Sequence, residues 1–386
     1  MTQQELDAAL QLIQNRFDAV NLLYIQKVAR QIKKIGELNQ SSINRLVIMS
    51  ELAENVADIT RALAVATGLT VQDVNDLYAI AAQDTYTDPR FKRAFASGLT
   101  VPARQQTQIE QYTRAVARQT AQTIDNLSNT TAIAAPYRAA VDRAILAVST
   151  GVTSYTEATR DAVREIGYSG LQVQYQSGYH KRLDTAIRQN ILDGTHQVMQ
   201  HSADMVGEAL NYDAIELSAH AHSAPDHEPV QGRIFLREEF DKMQAGLSCE
   251  DVNGKHYQGF KRPIGEWHCQ HFAMPFSTVF SKPRYTEQQL TDFEKQNHEG
   301  CEIDGKHVTI YQAQQYMRRL ETEVRHWKDT AVMAQIAGDD TLRRQCQQNI
   351  NALVAKYGQI AAVSGLTEHR NRMVVQGFKP VKLKKN

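Results

Sequence analysis

The chain has 386 residues, enough for about two or three domains with real cores, and 43 basic residues balance 43 acidic ones, so the formal net charge is zero. That balance excludes a surface that grips nucleic acid or an acidic membrane all over, and any such contact must be local. No stretch approaches the roughly 20 apolar residues of a membrane span, and the polar, amphipathic start MTQQELDAALQLIQNRF is no secretory signal.

Four cysteines (Cys249, Cys269, Cys301, Cys346) lie far apart with no C-x-x-C pair. This predicts buried thiols or metal ligands in a reducing cytosol, with no disulfides.

In chain order, Leu6, Leu10, Ile13, Phe17, Val20 and Tyr24 alternate at spacings of four and three. The spacing predicts one seam of a helix running to about Gly36. NQSS at 39–42 reads as the cap of a second helix, which Gly68 stops, and Thr70 caps a third carrying Val71, Val74, Leu77, Tyr78 and Ala81. Asp88-Pro89 marks another start, because the N–H that proline lacks has no partner in a first turn. Further helices are expected at about 102–127, 136–149 and 154–166. A seam period near 3.5 suits a partner helix or a ring of subunits as well as a self-contained bundle.

Near Gly167 the texture changes: Leu171, Val173 and Tyr175 alternate as a strand does. A long helix over about 181–210 follows, with Leu183, Ile187, Ile191, Val198, Met205 and Val206 on its apolar face. Strands are expected at 213–220 and 232–236, and 245–285 is dense in Gly, Pro, His and aromatic residues. Beyond Tyr285, Tyr316, Leu320, Val324, Trp327 and Ala331 share one helix face, and a last helix covers about 339–362, ending near Gly365.

The predicted fold is α+β and predominantly α-helical. It comprises a long helical N-terminal arm over 1–167, a small central α+β domain over 168–285 and a helical C-terminal region over 286–386 with a basic tail. That tail, KPVKLKKN with Lys379, Lys382, Lys384 and Lys385, reads as a solvated terminus or as a contact to a phosphate backbone.

The chemistry concentrates in two loops. SAHAHSAPDHEPVQGRIF (218–235) crowds His220, His222 and His227 into eight residues, and EWHCQHFAMP (266–275) adds His268, Cys269 and His271. A pair of imidazoles from one loop with Cys-x-His from the other supplies the four N and S donors of a closed, structural tetrahedral zinc site. The alternative is a hydrogen-bonded polar turn around a buried thiol. Two catalytic readings fit less well. A histidine-asparagine-histidine nuclease would combine Asp226-His227 with Asn253 and His256, without the strand–helix frame such a site needs. An ADP-ribosyltransferase would need Glu-x-Glu after a strand, whereas ETE at 321–323 lies within a helix. No phosphate-binding glycine loop, G-x-S-x-G or H-E-x-x-H is present.

Taken together, these residues resemble the minor capsid protein family of tailed bacteriophages (minor capsid protein 2 type), related to minor head proteins of the Mu F type. The likeness is densest over about 180–330. It runs through Arg182, Asp184 and Arg188 on a helix, then Leu217-Ser218-Ala219-His220, the turn His222-Ser223-Ala224-Pro225, His227 and Gln231-Gly232. It continues through His268-Cys269-Gln270-His271 and Pro275 to Tyr311, Ala313, Gln315, Arg318, Leu320, Glu321 and Arg325. The chain departs from the family pattern where His222 replaces a glycine and Ala224 an arginine. A family Asn-Cys-Arg-His has also lost its Asn and Arg.

The matched positions imply His220, His227, Cys269 and His271 as the metal set and leave His222 outside it. The resemblance implies a structural virion protein and no enzyme. Such a protein attaches in several copies to the portal ring at one capsid vertex, on its inner side, and acts in head assembly, DNA packaging or ejection. Its implied partners are the portal protein, other head proteins and packaged double-stranded DNA touched by the basic tail, with no membrane. It would pass through the host cytoplasm during assembly. The alternative function is a metal-dependent nuclease or other effector packaged in the virion.

Overall fold

The computed structural model describes residues 3–37, 45–86, 88–150, 155–259, 262–265, 269 and 271–383. The NQSS cap at 39–42, His268, Lys384 and Lys385 lie outside them. The fold is a predominantly α-helical α+β fold with small antiparallel sheets, and all four cysteines are free and buried. No helix among the described residues is long and apolar enough to cross a membrane.

The chain forms two compact units. One gathers residues 10–70, 124–188 and 315–386, and the other 1–9, 71–123 and 189–314.

In the first of these, helix α1 (Gln3–Glu37) buries most of the seam expected of it, with Leu10, Ile13, Phe17, Val20 and Tyr24 each at most 5 % exposed, while Leu6 is half-buried. It also buries a polar stripe, Gln14, Asp18 and Asn21. Helix α2 (Arg45–Tyr86) contributes Ile48, Leu52, Ile59 and Leu63. From α5 (Ala134–Thr150) comes Tyr137, whose hydroxyl donates to the Lys27 carbonyl (3.1 Å) and accepts from Asn55 Nδ2 (2.9 Å), tying three helices at one point. Arg143 on α5 pairs with Glu165 on α6 (Tyr155–Ser169) at 2.7 Å.

The strands β1 (Gln172–Gln174) and β2 (His180–Arg182) form a hairpin that leads into α7 (Leu183–Ala209). Arg182 therefore ends a strand, not a helix. Helices α10 (Ile310–Ala337) and α11 (Asp340–Ser364) close this unit. Asp339 caps α11 by accepting from Leu342 N, and Gly365 ends it at φ 70°, a left-handed conformation that glycine adopts without a Cβ penalty.

The break expected at Gly68 is absent: α2 runs on through Tyr86. Thr70, read as a cap, instead donates its buried hydroxyl to the Ala66 carbonyl one turn back. Gly68 costs only about 1 kcal/mol in a helix interior, and the burial of Ala66, Val74 and Tyr78 exceeds that.

The second unit holds α3 (Lys92–Ala96), much of α4 (Ala103–Asn129) and a three-stranded antiparallel sheet. In that sheet β3 (Ala214–Leu217) lies between β4 (Ile234–Leu236) and β7 (Ala273–Phe276). Every residue of β3 is buried, Glu216 included, whose carboxylate accepts from Arg284 N at 2.6 Å. Fully buried Phe235 meets Tyr257 edge to face at 5.5 Å, and burial of such a ring contributes roughly 2–3 kcal/mol. Around the sheet stand α8 (Arg237–Gln244), the short hairpin β5 (Cys249–Glu250) to β6 (His256–Tyr257), and α9 (Glu287–Glu299) with a Thr286/Gln289 capping box. A further hairpin, β8 (Cys301–Ile303) to β9 (Lys306–Val308), interrupts a stretch expected to be helical.

Candidate metal centre

The two chemistry-bearing loops meet because of the β3–β7 register. Leu217 pairs with Ala273, so the chain leaving β3 and the chain entering β7 emerge side by side. Ser218 N donates to the Phe272 carbonyl (2.9 Å) and Phe272 N to Ser218 Oγ (2.8 Å), extending the pairing into the loops. One helical turn then carries His227 inward: its N–H donates to the Ala224 carbonyl, and its own carbonyl accepts from Val230 and Gln231. Pro225 stands exposed at the start of that turn. Gly232 ends it at φ 69°, a conformation that favours glycine, and a Cβ there would meet Leu290 Cδ2 at 2.2 Å and push that side chain aside.

His227, Cys269 and His271 are all buried, and their donor atoms lie within 4.8 Å of one another. Cys269 Sγ is 3.2 Å from His227 Nδ1 and 3.5 Å from His271 Nδ1. Bonds of zinc length to sulfur and nitrogen at a tetrahedral angle place S and N about 3.5 Å apart, so these separations suit a shared ion.

The outward ring nitrogens are also provided for. His227 Nε2 lies 2.7 Å from the Arg262 carbonyl. His271 Nε2 is 3.3 Å from Ser223 Oγ and 3.5 Å from Gln231 Oε1. An Nε2–H donated outward fixes the tautomer that leaves Nδ1 free to ligate, the usual support of a metal-bound histidine. Arg262 forms a bidentate pair with Asp226 at 2.9 Å, and its Nη2 also comes within 3.4 Å of His227 Nδ1.

His220 stands beside the trio without joining it. Its ring stacks on His271 with centroids 4.7 Å apart, its backbone N–H donates to Gln231 Oε1, and its buried Nε2 has no partner among the described residues. Gln231 thus steadies two of the histidines at once. His222 is half-buried and makes no contact with the trio among those described.

Burial sets the protonation states. It pushes His271 down to about 3, helped by the neighbouring His220 and His227, and His220 down to about 4, while His227 is also lowered. The imidazoles are therefore neutral and able to donate a lone pair at neutral pH. Burial raises the Cys269 thiol, so only a cation would make it a thiolate there.

One contributor was missed from the sequence. His196 on α7 stacks on Phe272 at 3.8 Å, burial pushes it down to about 4, and its Nδ1 has no partner among the described residues. Nothing in the pattern of a helix face distinguishes it.

The other sequence candidates lie elsewhere. His256 is exposed on β6, 3.5 Å from Glu250, and Asn253 N donates to Asp251. Glu321 and Glu323 accept from the hydroxyls of Tyr357 (2.9 Å) and Tyr168 (2.7 Å). Arg188 is half-buried on α7. Lys379 and Lys382 are exposed on a tail that is pinned nearby, where Val381 N donates to Gln347 on α11 at 2.9 Å. Arg182 is buried in an ion-pair cluster with Asp184 and Asp329.

A family model described as phage minor capsid protein 2 matches residues 1–359 of the chain. No curated protein and no solved structure matches it.

Proposed function

The chain belongs to the phage minor capsid protein 2 family, which gives it a structural role in the virion, and from that premise we propose that it works at the portal vertex. There it serves head assembly, DNA packaging or ejection, in several copies around the portal ring and on its inner side. The observation that carries this reading is a family match that reaches into both folded units and covers 359 of 386 residues. The long helices supply extended surfaces for docking on a ring, and exposed Lys379 and Lys382 lie where a phosphate backbone can reach them. Co-expression with the portal protein tests the assignment. Co-purification of the full chain with the portal oligomer supports it, and failure to associate in low and moderate salt overturns it.

Within this role, His227, Cys269 and His271 hold a structural zinc ion, and His220, stacked on His271 just outside the trio, is the proposed fourth donor. What supports this is the donor set itself: three buried N and S atoms, two outward ring nitrogens anchored to oxygen acceptors, and a neighbouring buried imidazole nitrogen without a partner. The ion would ionise the Cys269 thiol and clamp the loop after β3 to the strand entry of β7. Elemental analysis of chain purified without chelator should find about one zinc per chain, lost in Cys269→Ser. Zinc-free protein of unchanged stability would remove the assignment.

A further inference from the structure

Five charged side chains of one folded unit meet in its core: Asp18 of α1, Arg182 at the end of β2, Asp184 in the first turn of α7, and Arg325 and Asp329 of α10. Each is at most 5 % exposed. Arg325 Nη2 donates both to Asp18 Oδ1 (2.8 Å) and to Asp184 Oδ2, which sets two carboxyl groups on one nitrogen. Arg182 reaches Asp184 through Nε (3.2 Å), Asp329 through Nη1, and Asp18 at 3.7 Å. Gln14, one turn before Asp18, donates to Asp184 at 3.3 Å. Arg182, Asp184 and Arg325 are also among the residues that carry the family resemblance.

The charges do not balance. Two guanidiniums face three carboxylates, so full ionisation leaves one uncompensated negative charge in a core where such a charge is costly. Asp329 Oδ1 and Arg325 Nε also lack partners among the described residues, and Lys328, the next cation on α10, turns away to donate to the Met373 carbonyl at 2.7 Å. A single proton shared by the two carboxyl groups on Arg325 restores neutrality, as in other carboxyl pairs that occupy one site.

We propose that these five side chains form a proton-gated latch. It holds residues 10–35 of α1 against β2, the start of α7 and α10 while the Asp18–Asp184 pair keeps its proton, and loosens when that proton leaves.

The proton belongs on Asp18. Burial and then the Asp184 carboxylate push it up to about 7, against the opposing pull of Arg325 and Arg182. For Asp184 burial also acts upward, but Arg325 and Arg182 outweigh it and hold it well below the usual carboxylate range. A carboxyl raised in the fold from an unfolded value of about 3.9 contributes fully below pH 4. That contribution falls as pH rises toward 7 and is gone above it. His326, next to Arg325 and stacked on Tyr168, acts in the opposite sense: burial pushes it down to about 4, so the fold loses stability as pH falls from about 6.5. Only a difference between wild type and an Asp18 variant isolates the latch.

The test is hydrogen exchange of α1 peptides in the full chain, wild type and Asp18→Asn, at pH 5 and pH 7.5 with intrinsic rates corrected. Asparagine keeps an acceptor and a donor without the ionisation. The opening constant of wild type relative to the variant should rise about a hundredfold over that interval, one proton over about two pH units. An unchanged ratio overturns the latch. Infrared spectroscopy of wild type labelled with carboxyl-13C aspartate decides the matter even if the variant fails to fold. A protonated aspartic acid band at pH 5.5 that vanishes by pH 8.5 supports the proposal, and its absence at pH 5.5 refutes it.

Discussion

Replacing Cys269 with alanine separates a metal clamp from a polar turn. Without an ion, the thiol makes three weak S···N contacts, 3.2 Å to His227 Nδ1, 3.5 Å to His271 Nδ1 and 3.4 Å from the His271 backbone N–H, in a site 6 % exposed. Losing them, and leaving a void the size of one sulfur atom, costs roughly 1–2 kcal/mol. With zinc at a thousandfold its dissociation constant, binding to the folded state alone adds about 4 kcal/mol, which the variant forfeits. The gap between wild type and Cys269→Ala should therefore be about 5–6 kcal/mol with zinc and fall to about 1–2 kcal/mol in chelator. Urea unfolding followed by far-ultraviolet circular dichroism reads this directly, provided the denaturant slope is unchanged. A gap that is the same in zinc and in chelator would refute the clamp.

Three further outcomes follow from the packing. Gly194→Ala on α7 would put a Cβ 1.9 Å from Tyr78 Oη and 2.7 Å from Thr120 Oγ1, so it should destabilise by about 1–3 kcal/mol. Adding Tyr78→Phe should recover part of that, and thermal melts of the single and double variants check the coupling. Asp251→Ala removes a buried carboxylate that accepts from Asn253 N (2.9 Å), Lys255 N (3.0 Å) and Tyr257 Oη (3.0 Å), and should lower stability by about 2–3 kcal/mol in urea titration. His326→Phe keeps a ring on Tyr168 but cannot take up a proton. It should flatten the acid loss of stability between pH 6.5 and 4, by up to tenfold in the unfolding constant per pH unit, in melts across that range.

Much of the fold was legible where a single physical signal dominates. The seam of α1 follows from four-and-three spacing, and the end of α11 follows from Gly365. Gly68 misled because propensity is a local cost that burial of neighbouring residues overrides. The β8–β9 hairpin has a local signal within a stretch that otherwise reads as helical: Asp304-Gly305, both at positive φ, is the dipeptide a tight hairpin turn favours.

At the site, residue types pointed to His227, Cys269 and His271, yet only the β3–β7 register could show which histidines converge. His220 is one ring further out for the same reason. The buried charge cluster was hidden because its members lie up to 311 positions apart, Asp18 to Asp329. Its one local hint is the polar stripe Gln14, Asp18 and Asn21 running beside the apolar seam of α1.

The central claim, a structural protein of the phage head at its portal vertex, is tested most directly by quantitative mass spectrometry of purified, DNA-filled particles after cross-linking. The account predicts this chain in far fewer copies than the major capsid protein, with cross-links to the portal. Particles that lack the chain altogether would contradict it.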